Sequence, residues 1–371
     1  MKKVLALCLA AAAALSLCGC GGGAKKVEDK KVAYIMQMAP SDIFEMWSDA
    51  AEETAERLGM EYTEFFCGGS DEQWQETIRQ CAADGYDGLL LSHGGTDYSY
   101  TFLSGLLEEY PDLKLVTFDT IFEDENGQTQ KIDGVTQFFQ QDSQLAGTLI
   151  DYITEEICPE KIAAGEPANI LKVWVGPGFL SAFDRRETGY AEYEQQGLIK
   201  TVETIGPTDF ADARASVKEA AAAALAKYEP GEIDVVWCCY DLYAQGVYEA
   251  ITEGGYDIPM VSVDICNEDI EKMAAEGSPW KACATTNWYH NGEYGMRALA
   301  LELAGEYDKI IDPSTGTTGG IAELPASLIT QEMVAGGNIT VDELGSVADQ
   351  AYSDTSWLPA SEWMNELLDT E

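Results

Sequence analysis

Short apolar runs alternate with helical patterns along most of the chain, and this alternation sets the expected fold. From Lys31, the run VAYIMQM (32–38) precedes DIFEMWSDAAEETAERLG, where Trp47, Ala50, Ala51, Thr54, Ala55 and Leu58 share one face at helical spacing. MEYTEFF (60–66), GLLLS (88–92) and KLVTFD (114–119) are the next strand candidates, with helices predicted over roughly 71–84 and 99–109. Such unbroken apolar runs are the habit of parallel strands covered on both faces. The rhythm breaks at IFEDENGQTQKID (121–133), where Asn-Gly predicts a solvated hairpin or loop. Asp124, Asn126 and Asp133 miss the glycine offset of an EF-hand calcium loop. A second series then runs through a helix near 142–157, NILKVWVG (169–176), a helix near 182–196, LIKTVETIG (198–206) and the alanine-rich ADARASVKEAAAAALAKY. It continues with DVVWCCY (234–240), a helix near 241–253, PMVSVD (259–264), a short helix and KACATTN (281–287). Two series of this kind predict an α/β protein with two doubly wound parallel-sheet lobes. PSTGTTGG (313–320) reads as a late linker.

The N-terminus has a different pattern. Lys2 and Lys3 precede an apolar stretch from Val4 to Leu17, the charged and apolar regions of a secretory leader, too short for a stable membrane anchor. Leu17-Cys18-Gly19-Cys20 resembles the bacterial lipobox. The resemblance implies a leader over 1–19 and a lipidated Cys20, because Leu17 is too bulky for the small position before Cys18. The following GGGAKKVEDKK makes 20–30 a flexible tether.

Charge narrows the partners. The formal net charge is −43, and loss of the leader removes two lysines more. Such a chain repels nucleic acid and anionic headgroups and disfavours a polyanionic ligand. Beyond the leader and Cys20, the cysteines are Cys67, Cys81, Cys158, Cys238, Cys239, Cys266 and Cys283. Their odd number, and the apolar surroundings of several, predict mostly free buried thiols rather than a disulfide framework. With no C-x-x-C pair, and only His93 and His290 as histidines, neither a metal nor another cofactor is expected.

In open parallel sheets, ligands bind beyond the carboxyl ends of the strands. Here those ends read MQMAPSDIF, SHGGTDY and VTFDT in the first series. In the second they read VGPGFLSAFDRR, PTDFAD, CCYDLYAQG and VSVDIC. Asp119, Asp241 and Asp264 each follow a strand directly, a position that suits ligand contact or helix capping. Capping is favoured for Asp241, and both remain open for the other two.

The order and spacing of these segments resemble the type 1 periplasmic binding proteins, the ribose/galactose-type solute receptors of ABC importers, over residues 31–310. APSDIFEMWSDAAEETAERLG is similar to that family's first loop and helix, with Phe44 at its second aromatic position and Ile43 at the first. DGLLLSHGG and LVTFD match the next landmarks. FDRRETGY places Arg186, Gly189 and Tyr190 in register with an R-x-x-G-F segment, and DLYAQGVYEAI and VSVD match later ones. The resemblance implies two lobes that close on a ligand, joined by three crossings near 138–144, 284–288 and 312–325. The first lobe would comprise 31–140 plus 288–318, and the second 141–287 plus 319–371. It implies a monomeric solute-binding lipoprotein on the extracytoplasmic face of the cell membrane, giving a small neutral ligand, carbohydrate first, to ABC permease subunits. The ligand set it implies is Phe44, Asp119, Phe183 or Asp184 with Arg185, Phe210, Tyr240, Asp264, and Asn287 or Trp288. Trp47 fits the buried helical stripe better than the cleft, Phe210 also fits a helix-start staple, and Asp142 fits a hinge or rim. Thr120 and Asp184 stand where sugar binders of the family often carry arginine, and Tyr240 replaces a usual asparagine. These departures leave room for a bulkier glycoside, a nucleoside or a signalling furanose.

Two other classes compete. An enzyme would use His93 or His290 as a base, yet neither has a nucleophile or orienting partner in sequence, and G-x-S-x-G, Walker A and dinucleotide motifs are missing. A ligand sensor for a membrane receptor would use the same closing body. A repressor of the related fold is excluded by the leader and by the lack of a helix-turn-helix before Lys31.

Overall fold

The computed structural model describes residues 26–369 apart from 125, 127, 211, 319, 320, 337 and 338. Cys20 and the leader lie outside the described residues. In chain order the strands are β1 (Lys31–Met36), β2 (Glu61–Phe66), β3 (Gly88–Ser92), β4 (Lys114–Phe118), β5 (Val135–Gln140) and β6 (Ala168–Val173). They continue with β7 (Ile199–Ile205), β8 (Val235–Cys238), β9 (Met260–Val263), β10 (Trp280–Thr285), β11 (Ile321–Leu324) and β12 (Ser327–Thr330). They form two sheets, ordered β11-β5-β4-β3-β1-β2 and β12-β10-β9-β8-β6-β7. Every pairing is parallel except β10 with β12.

The apolar runs form strands because both faces of each sheet are covered. In β1, Val32, Tyr34 and Met36 enter the core beneath helices Asp42–Arg57 and Trp288–Leu303. Ala33 and Ile35 enter the opposite core beneath helices Asp71–Ala83 and Thr96–Glu109. Each large side chain buried this way contributes about 2 kcal/mol. Trp47 is fully buried and stacks on Tyr34 with ring centroids 4.3 Å apart, so it belongs to the core. Gly292 lets helix Trp288–Leu303 approach helix Asp42–Arg57, since a Cβ there would lie 2.0 Å from the Trp47 carbonyl oxygen. The insertion at 121–133 forms a short antiparallel bridge, Glu123 with Thr129, and Asp124 accepts from the Asn126 and Gln128 amides. The seven described cysteines are all free.

The chain passes between lobes at Gln141, at Thr286–Asn287 and at Pro325–Ala326. These crossings bond to one another: Gln141 N–H donates to the Leu324 carbonyl at 3.1 Å, and Thr286 Oγ1 to Gln140 Oε1 at 3.2 Å. Two expectations are corrected. The boundary expected at 318/319 moves beyond Leu324, because β11 pairs with β5 and completes the first sheet. The tail does not stay with the second lobe. Val341, Leu344 and Tyr352 pack there, but Leu358, Trp363, Met364 and Leu368 join the first lobe's core.

Glu302 pins helix Trp288–Leu303 to β5, accepting from the Thr136 amide at 3.0 Å and its hydroxyl at 2.5 Å, while its Oε2 has no partner. Burial pushes its carboxyl up to about 8 from 4.5, against the pull of those hydrogen bonds. The folded state therefore holds this proton more tightly than the unfolded chain, and stability falls as pH rises from about 5 through 8. Glu302→Gln is expected to remove that fall and to stabilise the protein by a few kcal/mol at pH 8, since each tenfold difference in proton affinity between the folded and unfolded chain is worth ~1.4 kcal/mol. Thermal melts at pH 5 and pH 8 check this; equal pH dependence in both proteins contradicts it.

Candidate functional site

Three strand ends of this fold are bent backbone. His93 follows β3, Asp119 follows β4 and Asp264 follows β9, with φ of +61°, +46° and +68°. That left-handed region costs a side-chain-bearing residue about 1 kcal/mol or more, and such strain concentrates at functional sites. The bend separates the two readings of the strand-end acids. Asp241 is the first residue of its helix, where its carboxylate accepts the Leu242 amide at 2.7 Å rather than capping from outside. Asp119 and Asp264 cap nothing; their carboxylates meet guanidiniums.

Those guanidiniums come from helix Ser181–Gln195 of the second lobe, which lies against helix Asp142–Tyr152. Gly189 permits the approach, because a Cβ there would sit 2.1 Å from the Ser143 carbonyl oxygen. Arg185 donates from Nη2 to Asp119 at 2.5 Å, across the gap between lobes, and from Nε to Asp142 at 3.0 Å. It also lies over the Phe139 ring at 4.5 Å. Arg186 donates to Asp142 at 2.8 Å and to the Cys239 carbonyl at 2.7 Å, and its Nη1 is 3.1 Å from Asp264. The chain Asp119–Arg185–Asp142–Arg186–Asp264 thus runs from one lobe's sheet to the other's. Burial raises Asp264 to about 6, with Arg186 pulling it back. Burial likewise opposes charge on Arg186, but Asp264 and Asp142 outweigh it and hold the guanidinium firmly protonated. Beside Asp119, the His93 imidazole is driven down to about 3 by burial and by Arg185, so it is neutral.

A cavity of about 690 Å³ opens in front of this chain, between the lobes. Gln37, His93 and Asp119 line it from the first lobe, and Phe179, Asp184 and Arg185 from the second. Of the residues singled out in sequence, Asp119 and Arg185 meet there directly. Phe44 stands behind His93 at 5.3 Å and Trp288 behind Phe44 at 5.9 Å, both buried. Phe183 is buried against Tyr240 at 5.8 Å, and Tyr240 is half-buried. Phe210 is 54% exposed and stacks on Phe179 at 4.7 Å, so it is not the packed staple its position allowed. Two expectations change. Asp184 lines the cavity, but its carboxylate is engaged by the Gly178 amide at 2.9 Å and 3.1 Å, ordering the loop after β6. Asn287 is a helix cap, accepting from the His290 amide and donating to the Tyr352 carbonyl, and does not line the cavity. Sequence reasoning passed over Arg186, Gln37 and Gln140 as site residues. Gln140 donates to Asp119 at 3.3 Å. The sequence signal available for Arg186 was its register with the R-x-x-G-F segment, next to a second arginine.

Asp241, Cys266 and Asp269 bring three ligand-type atoms within 4.8 Å of one another. Asp269 is already engaged by Gln245 Nε2 at 2.9 Å and by the Cys266 amide at 2.8 Å, which makes this group a helix-capping arrangement.

Lobes, crossings and cleft correspond to a known family. The model of the periplasmic binding protein domain matches residues 32–307, and the chain belongs to that family. Among solved structures it is similar to a sugar ABC transporter from Yersinia enterocolitica (26% identity, TM-score 0.76), covering 92% of this chain and 95% of that one. It shares its fold with a 5-methylthioribose transporter solute binding protein from Thermotoga lettingae (22% identity, TM-score 0.75), covering 92% and 99% of the two chains. The same holds for a periplasmic ribose ABC transporter from Conexibacter woesei (15% identity, TM-score 0.68; 92% and 100%). No curated protein matches the chain.

Proposed function

We propose that this chain is the solute-capturing component of an ABC importer, closing its two lobes over a sugar-like polyol that carries no negative charge. The observation that carries this reading is the Asp119–Arg185 pair facing across the interlobe cavity. A carboxylate on one wall and a guanidinium on the other accept from and donate to neighbouring hydroxyls, and both pull the lobes together on the same ligand. The exposed Phe179, which lines the cavity with Phe210 stacked on it, offers an apolar face for C–H groups of the ring. The Yersinia relative and two of the fold neighbours are named for sugar or sugar-derivative transport, which agrees with this substrate class.

The protein binds and releases without making or breaking bonds. Ser92 Oγ, His93 and Asp119 stand in the order of a hydrolytic triad, with Ser92 Oγ 2.7 Å from His93 Nδ1 and Nε2 3.8 Å from Asp119. Yet Ser92 is wholly buried, out of reach of any substrate, and an imidazole driven to about 3 is a poor base at neutral pH. Ligand binding to the native state alone raises the melting temperature. A panel of pentoses, hexoses, alditols and nucleosides is expected to contain at least one such ligand. A flat response across the whole panel contradicts the reading.

Cys20 supplies the lipid anchor on the extracytoplasmic face, and Val27, seven residues on, packs in the first lobe's core. Cys20→Ser is expected to move the protein from the membrane fraction to the soluble one. Retention in the membrane fraction contradicts the anchor.

A further inference from the structure

We propose that the cleft prefers a polyol bearing a protonated amine over the uncharged form of the same polyol, and rejects the acidic form; this rests on the sugar reading above. Five carboxylates line the cavity, Asp71, Asp97, Asp119, Glu123 and Asp184, against the single guanidinium of Arg185. That guanidinium is already held by Asp119 and Asp142, and Arg186 behind it by Asp142 and Asp264. Among the described lining residues, no cation is left over to meet a phosphate or carboxylate on a ligand. Among the described residues, Asp71, Asp97, Glu123 and Asp184 have no cationic partner within ion-pair distance, so the excess negative charge faces whatever enters. His93 contributes no positive charge there.

A second, independent observation agrees in sign. Gln37 lines the cavity with only 8% of its surface exposed; its Nε2 donates to Asp71 at 3.1 Å, and its buried Oε1 has no donor. That oxygen is an acceptor. A buried acceptor without a donor is costly, and an ammonium offers three donors with a full charge where a hydroxyl offers one.

The test titrates the purified chain at pH 7 by calorimetry with nine compounds: glucose, galactose and mannose, their 2-amino-2-deoxy forms, and their uronates. On any frame that binds, the amine is expected to bind about tenfold tighter or more than the parent, with the uronate silent. Asp97→Asn combined with Glu123→Gln narrows the amine's advantage by removing two of the facing charges. Parent binding equal to or tighter than the amine, or any uronate binding, overturns the inference while leaving the sugar reading intact. Silence from all nine overturns the inference, and the sugar reading falls with it only where the panel of pentoses, alditols and nucleosides is silent too.

Discussion

Replacing Arg186 with alanine is expected to lower the melting temperature by about 10 °C. Its guanidinium is 2% exposed and neutralises two buried carboxylates at once, Asp142 at 2.8 Å and Asp264 at 3.1 Å, while satisfying the Cys239 carbonyl. Deleting one partner of a buried pair leaves the other charge uncompensated, at a cost of about 3–5 kcal/mol. For a unit the size of one lobe each kcal/mol moves the midpoint by about 2–4 °C. Adding Asp264→Asn in the same chain should recover part of the loss, because one stranded charge goes with it. Calorimetry decides the matter. A single variant melting within about 2 °C of the parent would mean that the two carboxylates are held neutral or solvated and that Arg186 is not the keystone of the second lobe's cleft face.

Asp119→Asn should leave the fold nearly intact and weaken ligand binding by about 100-fold, the scale of one lost charge-assisted hydrogen bond pair. The substitution keeps the shape, and Gln140 can still donate to the remaining carbonyl oxygen. Two effects oppose each other here. Losing the salt bridge to Arg185 frees that guanidinium for ligand, which favours binding. Losing the charged acceptor, and the pull between lobes, disfavours it more strongly, because Asp119 is the one charged group the first lobe sets against Arg185 at 2.5 Å. Calorimetry with a ligand from the panel reads the outcome. Unchanged affinity would reduce Asp119 to a latch for Arg185.

Much of this was written in local pattern. The strands β1, β3, β4, β8 and β9 are apolar runs, while position alone left the acids that follow β4 and β9 open between ligand contact and helix capping. What pattern did not show depends on distant partners. β5 reads VTQFFQ, with Thr136, Gln137 and Gln140 all buried, and periodicity gives no reason to bury them. Their partners are Glu302, the Thr120 carbonyl, and Asp119 with Thr286, none of them neighbours in sequence. β11 and β12 have four residues each and are defined by the strands they meet. The same holds for the site. Asp184 and Asn287 enter the ligand set by resemblance to the family, yet each is engaged by its own loop or helix. Arg186 looks like a helix-surface cation until the Gly189 contact brings Asp142 against it.

The most direct test of capture between lobes is a crystal structure of the protein with the tightest ligand of the panel. The account predicts one molecule enclosed in the interlobe cavity, with hydroxyls within about 3 Å of both Asp119 and Arg185. A ligand bound on the outside of either lobe, or one touching a single lobe while the other stays clear, would contradict it.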